Sequence, residues 1–189
     1  MNLPFKYAGL LFLLCLPVGS QARDIAGVSL PEQLQLADTT LTLNGAGIRT
    51  KFFFDIYVGA LYLPEKTTDA ETAIGMPGPK RVLMHFLYKE VEKENLTKGW
   101  KEGFEDNLGR DQFKALAPRL EAFNRLFATV KRGDRTTLDY LPQTGTRVSI
   151  NGEEKGRIAG EEFYAALLRV WLGGKPADSD LKEAMLGGD

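Results

Sequence analysis

Arg49 and Tyr57 are the side chains of this sequence whose types and spacing suit the binding of an anion. A guanidinium can pair with a carboxylate or a phenolate, and a phenol can supply a second hydrogen bond. Both residues have odd numbers in a run of apolar and aromatic residues, so on one strand their side chains would share a face. Eight residues of straight strand span roughly 26 Å, so a joint site needs a turn or bulge near Thr50 and Lys51. The alternative is a surface arginine at a strand edge and a packed tyrosine.

Other kinds of chemistry have few candidate residues. The sequence has one His and one Cys, which is too few for a His-rich or thiolate metal site. His85 lies among apolar residues in a strand-like segment, so we expect a core or half-buried histidine rather than a general base. Beyond residue 22 the serines are Ser29, Ser149 and Ser179, none of them in a nucleophile-elbow context. The sequence therefore identifies no catalytic residue and leaves enzymatic activity open, and it predicts no metal and no cofactor.

Composition and charge favour an ordinary globular protein. The 189 residues include 24 basic and 25 acidic side chains, giving a formal net charge of -1, and 43% are hydrophobic. A near-neutral chain lacks the positive charge of a nucleic-acid-binding protein, so we expect no nucleic-acid partner. The length suits one domain with a substantial core.

Residues 1–22 have the features of a secretory signal. Lys6 precedes an apolar run at 7–18, and small residues follow up to Ala22. We expect cleavage near Ala22, which leaves residues 23–189 as a single domain in a secreted or periplasmic protein and removes Cys15. The apolar run is shorter than the roughly 20 residues that span a bilayer, so we expect no transmembrane segment in the mature protein.

The order of the elements predicts an α+β fold with a mostly antiparallel sheet. Alternation and β-branched residues predict strands at 34–43 with a break near Asp38, and at 48–63, 81–88, 136–141, 147–150 and 155–158. Helical spacing predicts helices at 69–74, 92–107, 163–171 and 180–186, together with one that has Pro118 in its first turn. We expect a turn at 44–47, a hairpin at Asn151-Gly152 and a Ser179 cap on the last helix.

Residues 43–49 and 56–63 resemble the signature of the chalcone isomerase-like superfamily, in its secreted bacterial branch, and residues 100–104 and 163–173 add support. The resemblance implies an open-faced β-sandwich, in which a large antiparallel sheet carries a layer of helices on one face with a cleft between them. It also implies a role for Arg49, which matches the arginine of both the plant enzymes and their fatty-acid-binding relatives. Tyr57 aligns with a ligand-binding tyrosine of the fatty-acid binders but with a threonine of the enzymes.

Three hypotheses follow. The first is a non-catalytic binder of a small apolar anion, a fatty-acid-like carboxylate or a phenolate, with Arg49 as the anion anchor and Tyr57 as its hydrogen-bond partner. The second is an intramolecular lyase of the chalcone-to-flavanone type, which needs charge stabilisation more than a strong base. The third is a secreted accessory protein without a ligand, in which Phe104 and Trp171 are core residues.

Overall fold

The structure, a computed structural model, describes residues 22–188. The strands are β1 (Ala22–Ile25), β2 (Val28–Pro31), β3 (Gln33–Leu36), β4 (Thr39–Lys51), β5 (Phe54–Leu63), β6 (Lys80–Phe86), β7 (Glu90–Val91), β8 (Val130–Lys131), β9 (Arg135–Leu141), β10 (Gly145–Ile150) and β11 (Glu153–Ile158). The helices are α1 (Ala70–Gly75), α2 (Lys93–Asn107), α3 (Arg110–Arg125), α4 (Glu161–Leu172) and α5 (Ser179–Met185). The predicted signal sequence at 1–22 lies outside the described residues except for Ala22, and the division into domains stays a prediction.

One seven-stranded antiparallel sheet forms the centre of the fold, in the order β11-β10-β9-β6-β5-β4-β3. β6 is the middle strand, as its apolar residues on both faces predicted. β1 with β2, and β7 with β8, form separate two-stranded sheets. The α+β class with a large antiparallel sheet is confirmed.

The two faces of this sheet pack against different partners. On the inner face, side chains such as Tyr57, Met84 and Phe86 join one core with apolar residues of the helices. On the outer face, residues such as Val58 and Leu83 join a smaller core that includes Leu30 of the β1–β2 hairpin. Because successive residues of a strand point to opposite faces, each central strand contributes to both surfaces.

α3 is longer than the sequence predicted. We expected Pro118 in the first turn of a new helix, but α3 begins at Arg110 and continues through Pro118 to Arg125. Proline removes one backbone hydrogen bond inside a helix, and here it does so at an exposed position. The carbonyl left without that bond can be hydrated there, which lowers the cost of the proline.

The expected turn at 44–47 is wrong, because these residues lie inside β4. Their small size serves packing against α5: a Cβ on Gly45 would clash with the backbone oxygen of Ala184, and one on Gly47 would lie 2.6 Å from the Ala184 Cβ. Asn44 is buried and its side-chain amide donates to the carbonyl of Met185 at 2.7 Å. The glycine-rich segment is therefore the docking surface for the C-terminal helix.

Two further local predictions have different outcomes: the hairpin at Asn151-Gly152 is confirmed and the Ser179 cap is wrong. Asn151 and Gly152 form the tight turn between β10 and β11, both with positive φ angles of 52° and 83°. The cap of α5 is Asp178 rather than Ser179, because the Asp178 carboxylate accepts from the Leu181 backbone N–H at 3.0 Å. Among residues 22–188, no helix has both the length and the apolar character required to cross a bilayer.

Candidate ligand-binding site

A tight hairpin places Arg49 and Tyr57 side by side. The segment 48–63, expected as one strand, folds back at Phe52 and Phe53, so that Arg49 in β4 pairs directly with Tyr57 in β5. A bulge follows Arg49 in the β4–β5 register, close to where the sequence required a turn or bulge. The separation of roughly 26 Å on a straight strand therefore does not apply, and the Arg49 guanidinium carbon lies 5.7 Å from the centre of the Tyr57 ring.

Tyr57 is buried beneath this guanidinium, at 3% exposure. Its hydroxyl oxygen accepts a hydrogen bond of 2.8 Å from the indole Nε1–H of Trp171 in α4. Burial raises the pKa of the Tyr57 hydroxyl above its ordinary value, against the opposing effects of Arg49 and of the Trp171 hydrogen bond. Tyr57 therefore keeps its proton at neutral pH, and this proton is available to donate to an acceptor.

Two buried N–H donors near Tyr57 lack partners. The Nε of Arg49 and the indole Nε1 of Trp100 in α2 are both buried and form no hydrogen bond within the described part of the chain. Buried donors are normally satisfied, because an unpaired one costs about 1–3 kcal/mol. Both side chains also line the same cleft.

The cleft lies between the inner face of the sheet and α2, and its volume is about 260 Å³. Apolar side chains form much of its wall. Those that pack in the inner core are Ile56, Tyr57, Met84, Phe86, Val91, Leu96, Trp100 and Val170. Such a wall with a few polar groups is typical of sites for small organic ligands.

The charges at the cleft favour an anion. Arg49 and Lys51 line it, and neither forms an ion pair within residues 22–188. Lys98 also lines the cleft, and its Nζ lies 3.6 Å from Oε1 of Glu102, so the charges of these two residues cancel. Glu90 lies 3.9 Å from Lys131. The cleft therefore has more positive than negative charge.

α5 fixes the strand that carries Arg49. The Asp178 carboxylate that caps this helix accepts a second hydrogen bond, 2.9 Å from the backbone N–H of Thr50. Thr50 is the residue after Arg49, so the position of the guanidinium depends on the docking of the C-terminal helix. This carboxylate also acts to raise the pKa of Tyr57.

Sequence reasoning assigned three of these residues too little or no role. Trp100 and Trp171 lie in helical apolar stripes, which are typical of core residues, and both are indeed almost fully buried. Only the tertiary structure shows that one indole N–H binds Tyr57 and the other has no partner. Asp178 lies just before a predicted helix, but its contact with Thr50 spans 128 residues and has no local signal.

His85 lies away from this cleft, on the outer face of β6. It is half-buried, and its Nδ1 accepts from the Nε of Arg135 at 3.2 Å. This matches the expected half-buried histidine, except that the partner is a side chain and not the backbone. Within residues 22–188, no group of three or more His, Cys, Asp and Glu side chains is arranged to hold a metal ion.

Comparison with known proteins gives a family and a fold. A family model described as chalcone isomerase-like matches residues 22–187. The crystal structure of a fatty-acid binding protein from Arabidopsis thaliana superimposes with a TM-score of 0.71, covering 88% of this chain and 96% of that chain at 14% sequence identity. At that identity the likeness establishes the shared fold. No curated protein sequence matches the chain.

Proposed function

Because the chain belongs to the chalcone isomerase-like family, we propose that it is a secreted, non-catalytic binding protein for a small apolar carboxylate or phenolate. The ligand lies in the cleft between the inner sheet face and α2. Its anionic group pairs with Arg49, and its apolar body packs against the side chains of the wall.

The observation that carries this proposal is the pair of unpartnered donors, Arg49 Nε and Trp100 Nε1. A carboxylate has two oxygens with about four acceptor positions, so it can accept from both donors and also balance the charge of Arg49. A neutral ligand would satisfy the hydrogen bonds but would leave the positive charge of Arg49 unbalanced. An anion is therefore the better fit to this wall.

The size of the cleft restricts the apolar part of the ligand. Liquid water occupies roughly 30 Å³ per molecule, and a methylene group is of similar size. The cleft of about 260 Å³ thus holds on the order of eight such groups. This favours a medium-chain fatty acid or a single aromatic acid, unless the helical layer moves outward to admit a longer chain.

Tyr57 contributes the second polar contact. Trp171 donates to its oxygen, which leaves the phenolic hydrogen to donate toward the anion held by Arg49. The same bond fixes the phenol, so little rotational freedom is lost when the ligand binds. Tyr57→Phe should weaken ligand binding less than a change at Arg49 does, because the charge remains.

Isothermal titration calorimetry with octanoate and with octanol tests the proposal, since the two ligands differ in the anionic group. We expect saturable binding of octanoate that Arg49→Gln weakens about 10- to 100-fold, the range for a charged hydrogen bond of roughly 1.5–3 kcal/mol. Octanol should bind weakly and equally to both proteins. Arg110→Gln, an exposed charge change on α3, is the matched control and should bind octanoate like the wild type.

Two results would contradict the proposal. Octanoate binding that is absent, or that is equal in the wild type and Arg49→Gln, would remove the role of Arg49. Faster cyclisation of naringenin chalcone by the wild type than by buffer, lost in Arg49→Gln, would favour the lyase hypothesis instead. Absence of both binding and cyclisation would leave the accessory-protein hypothesis.

Secretion forms a separate part of the proposal and rests on residues 1–22. Expression of the full chain in a bacterium, followed by cell fractionation and intact mass measurement, tests it. We expect an exported form that begins near Arg23. A full-length protein in the cytoplasmic fraction would contradict it.

A further inference from the structure

A second concavity lies on the outer face of the sheet, away from the helices. Its volume is about 620 Å³, more than twice that of the inner cleft. The residues that line it come from β6, β9, β10 and β11 and from the β10–β11 turn.

At one end of this concavity, two arginines share one carboxylate. Asp139 in β9 is 1% exposed, and its neighbours across the sheet are Arg81 in β6 and Arg147 in β10. Arg81 donates from Nε at 2.5 Å and from Nη2 at 2.8 Å, and Arg147 donates from Nη2 at 2.6 Å. Two positive charges against one negative charge leave this group with a net charge of +1.

The hydrogen bonds of the same group are also incomplete. The Nε of Arg147 is buried and has no partner within the described residues. The bonds to Asp139 use two of the five N–H groups of Arg81 and one of those of Arg147. The Arg81 and Arg147 side chains are 19% and 26% exposed. Their excess positive charge favours a further anion, because charges partly withdrawn from water are normally paired.

At the other end, Arg135 adds a third positive charge. Its hydrogen-bond partner is the Nδ1 of His85 at 3.2 Å, and an imidazole that accepts at Nδ1 brings no negative charge to offset the guanidinium. Of the two acids in the lining, Glu154 forms a bidentate pair with Arg157 at 2.7 and 2.9 Å, and Asp139 is held by Arg81 and Arg147. Within residues 22–188, the lining therefore has no carboxylate that pairs with Arg135.

Hydroxyl groups form the floor between the two ends. Thr137 and Ser149 are direct partners across β9 and β10, one step of two residues from the Asp139 and Arg147 pair. That step is roughly 7 Å along a strand. A group above the floor thus has guanidinium groups on two sides and two hydroxyls below it.

We propose that this concavity is a second binding site, for a phosphate or sulfate monoester on a polar body of sugar size. The tetrahedral oxyanion accepts from Arg81, Arg147 and the hydroxyls of the floor, and guanidinium groups match this geometry well. A bare ion would occupy a small part of 620 Å³, a volume within the range of sites for organic ligands. Arg135 and Asn151 lie at the far end, where they can contact the rest of the ligand.

The single histidine of the chain provides a direct readout at this site. Burial and the nearby Arg135 guanidinium lower the pKa of His85 below its ordinary value. An anion above Thr137 and Ser149 lies one step of two residues, roughly 7 Å, from Arg135, the strand partner of His85. Its charge partly offsets that of Arg135 and therefore raises the pKa of His85. Because the sequence has one His, the imidazole C–H signals in a proton NMR titration of untagged protein come from His85 alone.

The test uses glucose 6-phosphate, glucose and inorganic phosphate with untagged protein. We expect glucose 6-phosphate to shift the His85 titration upward and to bind saturably by calorimetry, and glucose to do neither. Arg135→Gln and Arg147→Gln should each weaken glucose 6-phosphate binding at least 10-fold. Arg125→Gln, an exposed change of equal charge on α3, should bind like the wild type.

Three outcomes would overturn the proposal. The first is a His85 titration that glucose 6-phosphate leaves unchanged at about 10 millimolar, a concentration that nearly saturates a site with a Kd of about 1 millimolar. The second is equal glucose 6-phosphate binding by all three arginine variants, which would indicate unspecific charge attraction. Equal affinity for inorganic phosphate and glucose 6-phosphate would overturn the assignment of a sugar-sized ligand. Octanoate binding in the inner cleft tests a separate site, so either proposal can fail without the other.

Discussion

The contact between the glycine-rich part of β4 and α5 makes a graded stability prediction. Three glycines face this helix, and each differs in what an added methyl group would meet. At Gly45 the neighbours are backbone atoms of Ala184 and Gly187, which cannot move without the helix. At Gly47 the neighbour is the Ala184 Cβ at 2.6 Å, and at Gly59 the nearest atoms are the Leu181 methyl groups at 3.2 Å.

The magnitudes follow from what α5 buries. Leu181 and Met185 are 1% and 0% exposed, and burial of such a side chain contributes about 1.5–3 kcal/mol. Gly45→Ala displaces the helix and should lower the free energy of unfolding by about 3–6 kcal/mol. Gly47→Ala compresses one side-chain contact and should lower it by about 1–3 kcal/mol. Gly59→Ala should change it by less than about 1 kcal/mol, because leucine methyl groups can rotate away.

Urea unfolding followed by circular dichroism measures this order, and hydrogen exchange of the α5 amides shows whether the helix has undocked. Gly47→Ala combined with Ala184→Gly supplies the decisive control, because the second change removes the contacted methyl group. The double variant should recover about 1–3 kcal/mol relative to the sum of the two single changes. Wild-type stability for Gly45→Ala, or an equal loss at all three glycines, would refute the claim that backbone contact with α5 requires glycine here.

Three further outcomes are expected. Burial lowers the pKa of Lys80 to about 8, so above pH 8 the unfolded chain holds a proton that the folded chain has released. Urea unfolding should therefore show the free energy of unfolding rising by up to about 2 kcal/mol between pH 8 and 9.5. Lys80→Met should not show this rise. Phe52→Gly should be more stable than Phe52→Ala by about 1 kcal/mol, because both lose the ring and only glycine relieves the positive φ of 58°; equal midpoints would contradict this. Tyr57→Phe should lower the free energy of unfolding by about 1–3 kcal/mol, because the buried indole N–H of Trp171 loses its acceptor. Trp171→Phe should then lower the free energy of unfolding less in the Tyr57→Phe protein than in the wild type.

The sequence predicted the elements whose signals are local. The central position of β6, the helical stripe of α2 and the Asn151-Gly152 turn each follow from residue pattern within about fifteen positions. The glycine-rich turn failed for a physical reason, since glycine permits both a turn and a close helix contact. The helix contact involves Ala184, roughly 140 positions later in the sequence, and no local pattern indicates a contact at that distance.

The site was predictable in composition but not in geometry. Strand parity placed Arg49 and Tyr57 on one face, but the turn between them has Phe52 and Phe53, which are 83% and 96% exposed, in place of the glycine or asparagine typical of such turns. That unusual choice hid the hairpin and gave a single long strand instead. The orphan indole N–H of Trp100 depends on how α2 lies over the sheet, which is a property of the assembled fold.

Successive side chains of β6 point to opposite faces of the sheet, which limits how the inner cleft and the outer concavity can change in sequence. Met84 and Phe86 line the inner cleft, whereas Leu83, the residue before Met84, lines the outer concavity. Inserting or deleting one residue in this strand would exchange the two sets of side chains and destroy both surfaces together. Relatives can therefore alter one pocket by substitution at every second position, independently of the other. We expect changes in chain length to be tolerated in connections such as residues 142–144, where an added residue leaves the register of the sheet intact.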